Sequence, residues 1–266
     1  MSPPNVQSLV DGVAPPPVTL APLSMVLADE RPQAHRLEEV VRQDPGLMVR
    51  LLAVANSAAY GRGESITDVR RAIVRLGVRE ACKLAMALSS GFLADPLTLY
   101  GGTPWRSALY TAVVAEKVGR ALNVRNVGSL YTAGLLCDVG KLAVEAAGRE
   151  LAADPAVSSF LEIERSAVGA DHAQLSAALL HKWGLPAELV DLVAHHHNPL
   201  KSKNPRACTA LHLADAIVRQ VVCEGDDALQ YPVQRAVARG LGLKPDEIDR
   251  ALLEANDFFQ SIDEVM

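Results

Sequence analysis

Helix punctuation most constrains what this chain can fold into. Asp44-Pro45 joins a good N-cap to a residue whose fixed φ suits the first helical position. Asp154-Pro155 repeats the device, and Asp171 opens another segment. Gly77 and Gly184 each stop a run whose apolar residues recur three and four apart. After Asp44-Pro45 that spacing puts Leu47, Leu51, Leu52 and Ala55 on one face, and Asn56-Ser57 ends the run. From Ser65-Ile66-Thr67-Asp68 to Gly77 the stripe is Val69, Ile73 and Leu76. From Val78 to Leu88 it is Ala81, Leu84, Ala85 and Leu88. No stretch alternates apolar and polar residues long enough to make a strand. The expected fold class is therefore all-α. Composition agrees: residues are 49% hydrophobic but only 4% aromatic, so Ala, Leu and Val supply the apolar content and let helices pack closely.

Further helices are expected at Met25 to Ala28, His35 to Arg42, Trp105 to Leu122, Val127 to Leu136, from Asp154-Pro155 through Arg165, His172 to Trp183, and from Pro186 into His195. Three more follow, near Arg206 to Val222, Leu229 to Arg239 and Pro245 to Phe259. Residues 1–17, ending in Pro15-Pro16-Pro17, are expected to be a disordered or extended arm. Asp95-Pro96 and Tyr100-Gly101-Gly102-Thr103-Pro104 form the clearest break. They separate an N-terminal helical lobe, 18–104, from a second lobe, 105–205, with a C-terminal helical extension at 206–266. The net charge of −5 argues against broad nucleic-acid binding and against docking on an anionic membrane. No apolar run reads as long enough to span a bilayer, and the start lacks the pattern of a signal peptide. Cys82, Cys137, Cys208 and Cys223 form no Cys-x-x-Cys pair and read as reduced thiols of a cytoplasmic protein.

The stretch with most chemistry is Gly134-Leu135-Leu136-Cys137-Asp138-Val139-Gly140-Lys141. An apolar helical run delivers Cys137 and Asp138 to a buried place, and an acid there either caps something or binds something. Lys141 could meet a phosphate or cap a helix C-terminus, and the cap is the plainer reading. Arg71, Arg75 and Arg79 recur at i, i+4 and i+8; at this net charge a solvated or partner-docking face is favoured over a nucleic-acid contact. Asn56-Ser57-Ala58-Ala59-Tyr60 reads first as a structural cap and second as a ligand or lobe-interface element. His181 lies about 180° around its helix from His172 and should face solvent.

Four stretches in order resemble the HDOD family, an HD-related output domain of bacterial signalling proteins. They are Asp44 through Gly61, Ile66 through Gly77, Gly134 through Lys141, and Asp171-His172 through His196-His197-Asn198-Pro199. The resemblance implies a small N-terminal helical bundle packed on an HD-like helical lobe. It also implies a reference site, because HD phosphohydrolases bind metal through an early His, a His-Asp pair and a distant Asp. Here Arg106 is expected at the early position and Cys137 in the pair, while Asp138 and Asp215 retain the carboxylates. Arg106 would bring positive charge towards the vacancy.

His172, His196 and His197 match additional ligands of the HD-GYP branch, but Asn198-Pro199-Leu200 follows where that branch has Gly-Tyr-Pro. A complete site with Cys137 as thiolate is one alternative. A hydrogen-bonded polar network inherited from an enzyme is the favoured one, with no cofactor. The expected function is a non-catalytic regulatory module acting through signalling-protein partners. The alternatives are a metal-dependent phosphohydrolase and a sensor of a nucleotide second messenger.

Overall fold

The computed structural model describes residues 6–61, 65–93, 104–147, 160–222 and 245–263. Among the described residues every regular element is helical, as the spacing predicts. The expected break at 94–103, the start at Asp154-Pro155, the helix near Leu229 to Arg239, and Cys223 lie outside them.

In the N-terminal part, α2 (Leu20–Ala28), α3 (Ala34–Val41), α4 (Pro45–Asn56), α5 (Val69–Leu76) and α6 (Val78–Ser89) pack on one another. Asp44 caps α4 by accepting from the Leu47 amide at 3.0 Å, and Asp68 caps α5 through the Arg71 amide at 3.0 Å. Gly77 sits between α5 and α6 at φ 81°, where a Cβ would be strained. The Asn56 side chain accepts from the Ile66 amide and donates to its carbonyl, both at 2.8 Å. Asn56 thus ties the end of α4 to Ile66, a structural role. Arg75 and Arg79 turn guanidinium nitrogens to the carbonyls of Ala55, Asp29 and Glu30, while Arg71 is exposed.

The second part is built round α7 (Pro104–Ala121), buried almost all round between α8 (Val127–Leu136), α13 (Pro205–Val222) and α14 (Pro245–Asp263). α9 (Gly140–Ala146), α10 (Phe160–Val168), α11 (His172–Lys182) and α12 (Ala187–Ala194) complete it. α2 crosses α8 and ties the two parts together.

Two expectations are corrected. The N-terminal arm is not extended throughout: α1 (Val6–Asp11) is a short helix against α9 and α11. Its Leu9 and Val10 are buried, and Lys182 Nζ holds the Val10 carbonyl at 3.2 Å. α1 is only six residues long, but the apolar side of Val-Gln-Ser-Leu-Val gains by burial. Secondly, Val127–Ala146 does have the length and composition of a membrane span, yet 72% of it is buried inside the fold. It is two core helices, α8 and α9, broken at Cys137–Val139.

Candidate functional site

α8 ends at Leu136, and the chain turns through Cys137, Asp138 and Val139 before α9 begins. Ser176 of α11 clasps this turn: its hydroxyl donates to the Cys137 carbonyl and accepts from the Gly140 amide, both at 2.7 Å. A Cβ on Gly140 would collide with the backbone of His172 and Ser176, so the glycine lets α9 lie directly on α11. The turn aims Asp138 at the start of α11. Lys141, one turn on, holds Asp138 Oδ2 at 2.6 Å.

α11 is opened by Asp171, which exchanges bonds with Gln174 in a capping box. The next residue, His172, is 1% exposed and its ring is bound at both ends. Fully buried Glu164 of α10 accepts from the His172 amide at 2.7 Å and faces Nδ1 at 2.8 Å. On the far side Nε2 lies 2.8 Å from His197 Nε2. Asp138 Oδ1 is 3.2 Å from the same Nε2 but makes no aligned hydrogen bond with it.

His196 and His197 stand in the turn just after α12. His196 Nδ1 bonds the Val193 carbonyl at 2.7 Å, which places its proton there and leaves Nε2 as a buried lone pair without a partner. Asp215 of α13 is held by Arg219 Nε at 2.9 and 3.0 Å. The same guanidinium reaches towards Asp138 Oδ1 at 3.6 Å.

The protonation pattern follows from these contacts. Burial opposes ionisation of Asp138, but Lys141, Arg219 and His172 outweigh it and hold the carboxyl well below the usual range. Burial also disfavours a charged His172, yet Asp138 and Glu164 on either side raise its pKa above the ordinary value. Burial pushes His196 down to about 4 and lowers His197 as well, so both rings are neutral at pH 7. His197 Nε2 can then accept a proton from His172 Nε2. The Cys137 thiol is driven well up by burial, with the carboxylates of Asp138 and Asp215 adding to the effect. It is a thiol, in contact with the Gly134 carbonyl at 3.4 Å.

Asp138, His172, His196, His197 and Asp215 therefore come together as expected. Arg106 does not join them. It is exposed, with its guanidinium 5.5 Å from the ring centres of Tyr110 and Phe259. The aromatic faces of α7 and α14 attract it outward, and the cation beside the carboxylates is Arg219. Two participants escaped the sequence reading, Glu164 and Arg219. Arg219 carried a signal, since it stands four residues after Asp215 on one helix face. Glu164 carried none, because a turn separates it from His172. His181 faces solvent, as expected.

The resemblance to HD enzymes implies a metal. His172, His196 and His197, and separately Cys137, Asp138 and His196, have ligand atoms within 4.8 Å of one another. The set nevertheless does not fit a metal centre of that kind. Asp215 gives its carboxylate to Arg219, and Asp138 faces two cations. Cys137 Sγ is turned to the Gly134 carbonyl at 3.4 Å, and His172 uses both ring nitrogens within the network. The carboxylates of Asp138 and Asp215 stand against Lys141 and Arg219, and Glu164 stands against the His172 ring.

A helical lobe gathers these residues at the junction of α8, α11, α12 and α13, with Cys137 beside Asp138. The family model for the HDOD domain matches residues 13–199, and the chain belongs to that family. The chain is 24% identical over 203 residues to an uncharacterized protein of Treponema pallidum (strain Nichols); the match takes in 73% of this chain and 39% of that relative's length. Among solved structures, an HDOD domain protein of unknown function from Geobacter sulfurreducens aligns at TM-score 0.69 and 19% identity, covering 98% of this chain and 97% of that one. A signal transduction protein of Marinobacter aquaeolei VT8, so named provisionally, gives TM-score 0.67 at 23% identity over 99% and 61% of the two chains. A provisionally named phosphohydrolase of Shewanella amazonensis gives 0.65 at 21% over 98% and 96%. At these identities the structures establish the shared fold.

Proposed function

We propose that this chain is a non-catalytic signalling module, acting in the cytoplasm through protein partners. The observation that carries the proposal is the internal neutralisation of Asp138 and Asp215 by Lys141 and Arg219. A hydrolytic metal would have to displace both cations, and that opposes binding. Membership of a family related to both signalling proteins and phosphohydrolases fits a phosphohydrolase scaffold kept for its surfaces. The buried thiols Cys82, Cys137 and Cys208 suit a reducing compartment.

A second reading draws on His196 Nε2, which has no hydrogen-bond partner and lies near Asp138 and Cys137, so that a metal could engage it in a phosphohydrolase. Hydrolysis of a generic phosphodiester with added Mn²⁺ separates the two. The signalling reading expects no turnover above buffer. Mn²⁺-dependent turnover that Asp138→Ala abolishes would establish the enzyme instead.

A further inference from the structure

A second feature lies at the other end of the helices that carry the polar cluster. The turn entering α8, the first turns of α12, and the loop entering α13 enclose a cavity of about 580 Å³. That is within the range of small-molecule sites. Three cations border it, Arg125, Lys203 and Arg206. All three are exposed, and among the described residues no acid or carbonyl engages their side chains. This is unlike Arg75, Arg79, Arg165 and Arg219, each of which is spent on an internal acceptor.

Of the two bordering acids, Asp191 is already committed. It accepts from the Ser202 hydroxyl at 2.7 Å and the Lys203 amide at 2.9 Å, and it lies 3.4 Å from His195 Nδ1. Glu188 remains exposed at the rim. Buried Leu192 and Ala207 supply an apolar wall. The positive ends of α8, α12 and α13 add to the potential of the three cations.

We infer that this cavity binds a small organic phosphate. Its anion would lie among Arg125, Lys203 and Arg206, its carbon skeleton against Leu192 and Ala207, and a hydroxyl or amine towards Glu188. Arginine suits the role because its planar fork can engage two phosphate oxygens at once.

The site has a structural link to the signalling reading. α8 spans about 15 Å from this cavity to Cys137-Asp138. α12 runs from it to His196-His197, and α13 from it to Asp215. A ligand here contacts the starts of three helices whose later residues hold the polar cluster. Binding itself does not depend on that reading; only its consequence for partner engagement does.

Calorimetric titration of the full chain with pyrophosphate, adenosine monophosphate and adenosine tests the site. The monophosphate should bind, pyrophosphate more weakly for want of the apolar contact, and adenosine not measurably. Arg125→Ala and Arg206→Ala should each weaken the monophosphate about tenfold. Both side chains are exposed, so the melting temperatures of the two variants should stay near that of the parent. Absence of binding by both phosphates at millimolar concentration overturns the inference. So does binding that neither arginine variant weakens, or adenosine binding as tightly as its phosphate. None of these results bears on whether the chain hydrolyses a phosphodiester, so failure of the site and failure of the signalling reading are distinguishable.

Discussion

Replacing Arg219 by Met tests the internal counter-ion directly. The side chain is 22% exposed, between Asp215 at 7% and Asp138 at 16%, so the carboxylates it leaves behind cannot rehydrate freely. Removing one partner of a buried pair costs about 3–5 kcal/mol. Residual exposure and the surviving Lys141 place this case near the lower end, about 3 kcal/mol. In a domain of this size that corresponds to a fall in Tm of roughly 6–12 °C. Adding Asp215→Asn should recover part of the loss, with a coupling of about 1 kcal/mol or more, because the second change removes the stranded charge while keeping its volume.

The deficit should depend on pH. Asp138 has a depressed folded-state pKa, so its stabilising contribution is present above its unfolded value and fades as pH falls through the folded one. The difference between Arg219→Met and the parent should therefore be full at pH 7 and shrink below about pH 4, where carboxylates take up protons. Urea denaturation of the parent, both single variants and the double variant provides the cycle. A cost of Arg219→Met under 0.5 kcal/mol, or a double variant no better than additive, would refute the counter-ion argument.

Glu164→Gln should lower the His172 pKa, read from the pH titration of its ring resonances, and cost about 2 kcal/mol in a denaturation series. The parent should also lose stability as pH rises from about 6.5 through the raised folded pKa of His172, because a group with a raised pKa stabilises only while it is protonated. A flat stability profile over that window would contradict this. Gly140→Ala should cost about 3 kcal/mol by thermal melting, because its methyl meets the backbone of α11 rather than a yielding side chain. Asn56→Ala should cost about 1–3 kcal/mol and raise amide exchange at Ile66, which loses its partner.

Helices with chemically explicit starts were legible in the sequence. Asp44 and Asp171 each cap the helix they were expected to cap, Asp68 closes the stretch expected to start α5 and caps it, and Gly77 and Gly184 both adopt positive φ. α1 was not legible, because its stability comes from burial against α9 and α11 rather than from any local signal. α2 begins at Leu20, earlier than Met25, since Leu20 and Leu23 are drawn into the core. At the site, spacing identified the residues that share a motif, but not the partners supplied by packing. Arg106 was placed near the vacancy by its position along the chain, whereas the neighbouring rings of Tyr110 and Phe259 turn it outward. Rebuilding the site by Arg106→His would accordingly put an imidazole beside those rings. The replacement cation, Arg219, is recognisable only once α13 is laid beside the Cys137-Asp138 turn.

The central claim is that Lys141 and Arg219 already serve Asp138 and Asp215, so the polar cluster has no need of a metal. Elemental analysis after dialysis against a mild chelator, followed by titration with Mn²⁺ and Zn²⁺ at pH 7, tests it most directly. The account predicts well under one equivalent of metal, a chain that stays folded without it, and no tight site on titration. One equivalent of bound metal, held below micromolar concentration and lost on Asp138→Ala, would contradict it.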